Sequence, residues 1–311
     1  MVKLDNKNVS KHLGQTSAYK STYDPKLLVR EPRQSNRTHL GIKDDNLPFV
    51  GNDTWNAYEI SALTNNGLPV VGVAKIVYSC DSEYIVESKS IKLYFNSFNM
   101  TKLGDTAGDV LDQISKMAAS DLSALLETKV LVKVHSNARV LGDVDMFNAK
   151  LEWMHSESCT PNYITLEDVY PVDGVEFSIY TETPELLEEI KDAPSDKVYY
   201  HSALLKSNCR VTSQPDWGDI YIYMKGRNTV DPISLLQYIV SFRDECHFHE
   251  EICEAVYKRL MDTIHPEELS VRCLYARRGG IDINPERVSH KKLLHHTLSQ
   301  VDVPHIKTPK Q

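Results

Sequence analysis

Two stretches of this chain carry the same succession of patterns, and that repetition constrains the fold more than any single motif. In the first, an apolar run over 70–78 and the short Tyr84-Ile85-Val86 read as strands. Val110, Ile114, Met117, Ala118, Leu122 and Leu125 then recur every three or four residues, the spacing of a helix with one apolar side, and Thr106 suits its N-cap. Val130, Val132 and Val134 alternate as a strand again. In the second stretch, 198–205 and 218–223 read as strands, with Ile220 and Ile222 on one face and Tyr221 and Tyr223 on the other. Asp231-Pro232 is a good N-cap and first-turn pair for a helix carrying Leu235, Leu236, Ile239 and Val240. A further helix from about Phe248 places Ile252, Val256 and Leu260 together and stops at His265-Pro266; Leu269, Val271, Cys273 and Tyr275 then alternate as a closing strand. Strands, helices and strands, twice over, predict an internally duplicated α+β chain with antiparallel sheets and helices packed on one side. Residue identity between the halves is too weak to prove duplication.

Composition narrows the function classes. Of 311 residues, 41% are apolar and 25% charged, which supports a packed core and excludes a mainly disordered chain. A net charge of -8 argues against a phosphate-backbone binder, so no nucleic-acid partner is expected. No apolar run approaches 18 residues, so no membrane span is expected, and the polar first twenty residues lack the apolar core of a secretory leader. Six cysteines (80, 159, 209, 246, 253 and 273) form no CxxC pair, which fits free thiols in a reducing cytoplasm. The Asn-x-Ser/Thr sequences at Asn8, Asn36, Asn52 and Asn99 would then carry no glycan. Residues 1–45, with Arg30, Arg33 and Arg37 among Pro, Ser and Asn, read as a surface arm. The chain is acidic over 140–195 and from His290 onward reads as a loosely held tail.

Nucleotide motifs of the GxGxxG or GxxxxGK[ST] kind are absent. Cys246, His247, His249, Glu250 and Cys253 form the densest group of metal-ligand types, but their spacing does not match a structural zinc site, and His247 and His249 are expected to point in different directions. No metal is expected. Three segments stand out. ESKSIKLYFNSFN (87–99) sets charged residues directly after an apolar strand, and by composition alone is as well explained by an amphipathic strand running into a turn. SNCRVTSQPDWG (207–218) places Cys209 seven residues before Asp216: either a nucleophile near an acid or a small buried hydrophobe. RRGGIDINP (277–285) joins arginines suited to phosphate with glycines that admit a close ligand, or is an ordinary basic turn.

Together the three segments, with FHEE at 248–251 and LGIKDDNLPF near residue 40, resemble the NADPH-dependent 7-cyano-7-deazaguanine reductases, the nitrile reductases of queuosine biosynthesis, in their long two-module form. The resemblance covers about 22–289. It implies tandem tunnelling-fold (T-fold) modules, divided here as 1–165 and 166–311, with sites at module junctions. It implies a cytoplasmic homodimer that uses NADPH to reduce 7-cyano-7-deazaguanine to the aminomethyl base. On the matching positions, Cys209 would be the nucleophile, Asp216 the proton donor and His249 a further catalytic group. Val86, Glu87, Ser88, His249 and Glu250 would bind the base; Ser88, Lys89, Arg278 and Gly279 would contact NADPH. Two other readings compete: a zinc hydrolase of the pterin cyclohydrolase type, with Cys209 and His249 as ligands, and a non-catalytic purine- or pterin-binding module. The resemblance gives no role to Cys246, His247 or the tail after Val288.

Overall fold

A computed structural model describes residues 19–136, 162–210, 212–303, 308 and 310–311. Asn8 and Cys159 lie outside the described residues, as does much of the acidic stretch. The chain begins with β1 (Arg30–Pro32), α1 (Gln34–His39), β2 (Val50–Leu63), β3 (Pro69–Ser79), β4 (Tyr84–Val86), α2 (Ser88–Asn96), α3 (Ala107–Leu126) and β5 (Val130–Ser136). After β6 (Ile164–Thr165) and α4 (Leu166–Val169) come β7 (Glu189–Ile190), β8 (Lys197–Ser202), β9 (Lys206–Cys209), β10 (Pro215–Lys225), β11 (Thr229–Val230) and α5 (Pro232–Ser241). The rest is β12 (Cys246–His247), α6 (His249–Ile264), β13 (Glu268–Tyr275), β14 (Ile281–Val288) and α7 (His296–Ser299).

One sheet runs through both halves in the order β9, β10, β13, β14, β2, β3, β5, with β12 beyond β9. These neighbours are antiparallel except β12 with β9. Strand β8 takes the edge of β10 that β9 leaves free, and carries β6. The halves meet where β14 pairs with β2 over eight residues, from Ile281↔Ala57 to Val288↔Val50. The strands approach so closely here that a Cβ on Gly51 would stand 2.0 Å from the Glu286 carbonyl oxygen.

Side chains alternate between the two faces, and the register places Ile220, Val271, Arg287, Ile283, Trp55, Asp53 and Ile76 on the same one. The helices cover it. Helix α3, closed by a capping box between Thr106 and Asp109, buries Val110, Ile114, Ala118 and Leu122 against β3 and β5. Helices α5 and α6 bury Leu236, Ile239, Ile252, Val256 and Leu260 over Ile220, Ile222 and Val271. The α+β class, the antiparallel pairing of the main sheet and the placement of the longer helices on one side are as the sequence predicts.

Four readings change. Segment 87–99 is a helix, not a strand: Glu87 caps α2 by accepting from the Ser90 amide (3.0 Å), and Ile91, Tyr94, Phe95 and Phe98 are buried. The 277–285 segment is a turn only at its start. Its remainder is β14, and β13 is therefore not the last strand. The described part of the arm, 19–45, is anchored in the interior by two of its arginines: Arg33 and Arg37 are 4% and 1% exposed. Arg33 meets Asp53; Arg37 meets Glu254 on α6 (2.8 Å); Arg287 bridges Asp53 (2.8 Å) and Glu254 (2.9 Å). Arg30 does stay near the surface, stacked on Tyr84. Finally, residues 291–303 pack across the sheet's other face. The buried Lys75 ammonium donates to the carbonyls of Thr297, Gln300 (2.8 Å) and Val303, and Thr54 donates to Leu298 (2.6 Å). Cations ringed by carboxylates or carbonyls are how such polar groups tolerate burial.

Candidate active site

A cavity of about 180 Å³ opens where the two halves join. The first half contributes Trp55 from β2, Val86 from the end of β4, and Ser88, Lys89 and Lys92 from α2. The second contributes Cys209, Asp216, His247, Phe248, His249, Glu250 and Tyr275, with the turn from Ala276 through Arg278 and Gly279 and the β14 residues Ile281 and Ile283. Every site residue that the resemblance implies lines it except Glu87. That side chain is fully buried between the lining residues Val86 and Ser88, with its carboxylate capping α2.

Local structure explains each position. Cys209 ends β9, its amide donating to the Gln214 carbonyl (2.8 Å) and its carbonyl accepting from Ser213 (2.9 Å), so the chain turns back directly into β10 and Asp216. Asp216 is 7% exposed. Its Oδ1 accepts from Arg278 Nη1 at 2.7 Å and its Oδ2 lies 3.8 Å from His249 Nε2. His249 opens α6 with its ring edge-on to Tyr275, centroids 4.0 Å apart, and burial holds its imidazole below the usual range despite Asp216. Glu250 is buried beside it. Burial, then the nearby Asp53 charge, pushes its carboxyl up to about 8, against the opposing pull of Arg33 and Arg287.

Three buried polar atoms on residues of this wall have no partner: Trp55 Nε1, Glu250 Oε1 and Tyr275 OH. Each such atom costs on the order of 1–3 kcal/mol, so the wall is prepared for a polar ligand. Lys89, Lys92 and Arg278 add positive charge, while Gly279 and Gly280 turn with φ of +58° and +78°, a region that favours glycine. A Cβ on Gly280 would stand 2.6 Å from the Glu59 carboxyl carbon. Cations beside bare backbone suit a phosphorylated cofactor.

His247 also lines the cavity, with its ring on Glu245 and Glu251 while that of His249 meets Asp216 and Tyr275. Among the described residues no group of three or more His, Cys, Asp or Glu side chains is placed to hold a metal, and no helix is long and apolar enough to cross a membrane. Trp55 and Tyr275 carry no motif, and Ile283, although inside RRGGIDINP, is not singled out by the sequence as lining a site. Only the register of β2 against β14, set by residues more than two hundred positions apart, brings Trp55 and Ile283 side by side.

Comparison with known proteins bears on this cavity. Residues 19–134 match the family model described as nitrile reductase, 7-cyano-7-deazaguanine-reductase N-terminal, and residues 215–293 match that of QueF-like proteins. An NADPH-dependent 7-cyano-7-deazaguanine reductase of Colwellia psychrerythraea is 39% identical over 283 residues, covering 89% of this chain and 91% of the relative. One from Rickettsia bellii is 40% identical over 275 residues (88% and 91%), and one from Dechloromonas aromatica 39% over 276 (88% and 89%). A crystal structure of the archaeosine synthase QueF-Like in the apo form overlaps 33% of this chain and 91% of its own, at 14% identity and a TM-score of 0.26, too slight an overlap to argue from. At such identity over nearly nine-tenths of its length, the chain belongs to the oxidoreductase family of NADPH-dependent 7-cyano-7-deazaguanine reductases.

Proposed function

We propose that this cavity reduces the nitrile of 7-cyano-7-deazaguanine to the aminomethyl group in two hydride transfers, at a site shared between tunnelling-fold modules 1–165 and 166–311. The observation that carries the reading is the meeting of Cys209, Asp216, His249 and Glu250 with Ser88 and Lys89 around one cavity. A nitrile accepts hydride poorly, and addition of the Cys209 thiol across it gives a thioimide, splitting one hard step into easier ones. Asp216 relays the thiol's proton to the nitrile nitrogen as that bond forms, so the carboxyl ends the step as it began. NADPH supplies the two hydrides when bound, with Ser88, Lys89, Arg278 and Gly279 to hold it. Arg278 would leave Asp216 as it turns to a cofactor phosphate. After the first reduction Cys209 is expelled as thiolate, leaving an imine for the second. Throughout, Glu250 accepts from the N–H groups of the base and His249 holds it beside the thiol, while Glu87 would accept from the other edge of the base once its carboxylate turns from the α2 cap into the cavity.

The test is intact-protein mass spectrometry with the cyano base and no NADPH. The expected result is a mass gain equal to the base, absent in Cys209→Ala. Asp216→Asn should retain base binding and lose turnover at least a hundredfold. Normal nitrile reduction by Cys209→Ala would refute the reading. Homodimer formation is the expected assembly, checked by light scattering.

A further inference from the structure

His247 lines the cavity, yet the reaction sequence above leaves it without a part. It stands in β12, parallel to β9, directly across from Cys209. Its Nδ1 is 3.2 Å from Glu251 Oε2 and its Nε2 is 3.3 Å from Glu245 Oε2. Ionised carboxylates only accept hydrogen bonds, so a ring held between two of them carries a proton on each nitrogen. Glu251 also accepts from Arg210 Nη1 (2.7 Å) and the Phe248 amide (2.9 Å), and Arg210 lies over the Phe248 ring. Glu245 accepts from the Glu182 amide (3.0 Å) as well. The result is a continuous chain, Arg210 to Glu251 to His247 to Glu245. It links the residue after the nucleophile to the first turn of α6, where His249 and Glu250 begin.

We propose that His247 is a positioning residue, whose doubly donating ring fixes β9 and its Cys209 thiol against the start of α6, so that the nucleophile and the base-binding pair keep one separation. This inference rests on the reading of the site given above and adds a control of its geometry. A shift of about 1 Å between reacting groups can cost on the order of a hundredfold in rate, so such a tie matters even without touching the substrate. The charged and titratable groups around the ring come from several elements. Glu245 and Cys246 adjoin it in sequence, Glu251 faces it from α6, and Lys206, Cys209 and Arg210 belong to β9 or follow it. Glu31 of β1 lies beside Arg210 and Glu251. Burial works against the charge on His247, but the two glutamates outweigh it and push the imidazole up to about 9.

The experiment compares wild type with His247→Gln, and with Glu245→Gln as a milder second variant. Base affinity is measured by calorimetry in the Cys209→Ala background, and adduct formation by mass spectrometry in the proteins that keep Cys209. Affinity should stay within about threefold while the adduct rate at pH 7 falls on the order of 10- to 100-fold. That deficit should shrink as pH rises past about 9, where wild type loses its second ring proton and can bridge only one glutamate. Affinity falling in step with rate, a deficit constant across pH, or no deficit would overturn the proposal. Hydrogen exchange gives a readout independent of nitrile chemistry: the Asn208 amide donates to the Glu245 carbonyl at 2.8 Å and should exchange faster in His247→Gln. If wild type forms no adduct, the reading of the site fails while exchange still judges the clamp, and unchanged Asn208 exchange would overturn it.

Discussion

Glu250 shows how burial sets the working range of one side chain. To accept from two ring N–H groups its carboxyl must be ionised, yet burial beside Asp53 keeps the proton on until about pH 8. Base affinity should therefore fall about tenfold for each pH unit below about 8 and level off above it. Calorimetry on Cys209→Ala protein would read this directly, and Glu250→Gln should bind weakly with no such slope. A flat wild-type profile between pH 6 and 8 would remove Glu250 from that role. The same group makes stability depend on pH. Its folded value lies above the ordinary 4.5, so between about pH 4.5 and 8 the unfolded chain releases a proton that the folded chain keeps. The stability from the neutral carboxyl is complete below 4.5 and is lost as pH rises through 8.

At the scale of elements, the ion pairs between sheet and α6 matter most. Glu254 on α6 receives Arg37 from α1 and Arg287 from β14, while Asp53 on β2 receives Arg33 and Arg287. Removing Glu254 leaves Arg33, Arg37 and Arg287 with Asp53 as the one buried acid among them, so Glu254→Ala should cost about 3–5 kcal/mol in denaturant unfolding. A loss below about 1 kcal/mol would show that the arm is not held this way. None of this was legible in the sequence. Arg33 and Arg37 stand among Pro, Ser and Asn like any solvated arm, and their partners lie up to 217 positions away. Helix α3 was legible because its apolar spacing and Thr106 cap are local. Helix α2 has the same kind of signal, with Ile91, Tyr94 and Phe95 at i, i+3 and i+4 and Phe98 just past its end, but charges between them and the strand before it masked the period. Cys209, Asp216, His249 and Glu250 were visible through their motifs, whereas the pairing of Trp55 with Ile283 depends on strand register that no local pattern encodes.

For the whole molecule, the cavity has walls from both halves, and the ladder between β14 and β2 holds those walls together. Residues 166–311 produced alone should be inactive despite carrying Cys209, and activity should return only when 1–165 is supplied. Full activity from the second part alone would sink the shared-site arrangement. The position of that ladder also bears on how the protein is made. A chain leaving the ribosome from its N-terminus exposes β2 early, but β2 lacks its β14 partner until Val288 has emerged. Until then one long strand edge stays bare, open to pairing with a neighbouring nascent chain. The cavity between the halves is thus among the last features to come into being, and a message that stopped short of β14 would yield a sticky half-sheet rather than a weakened protein.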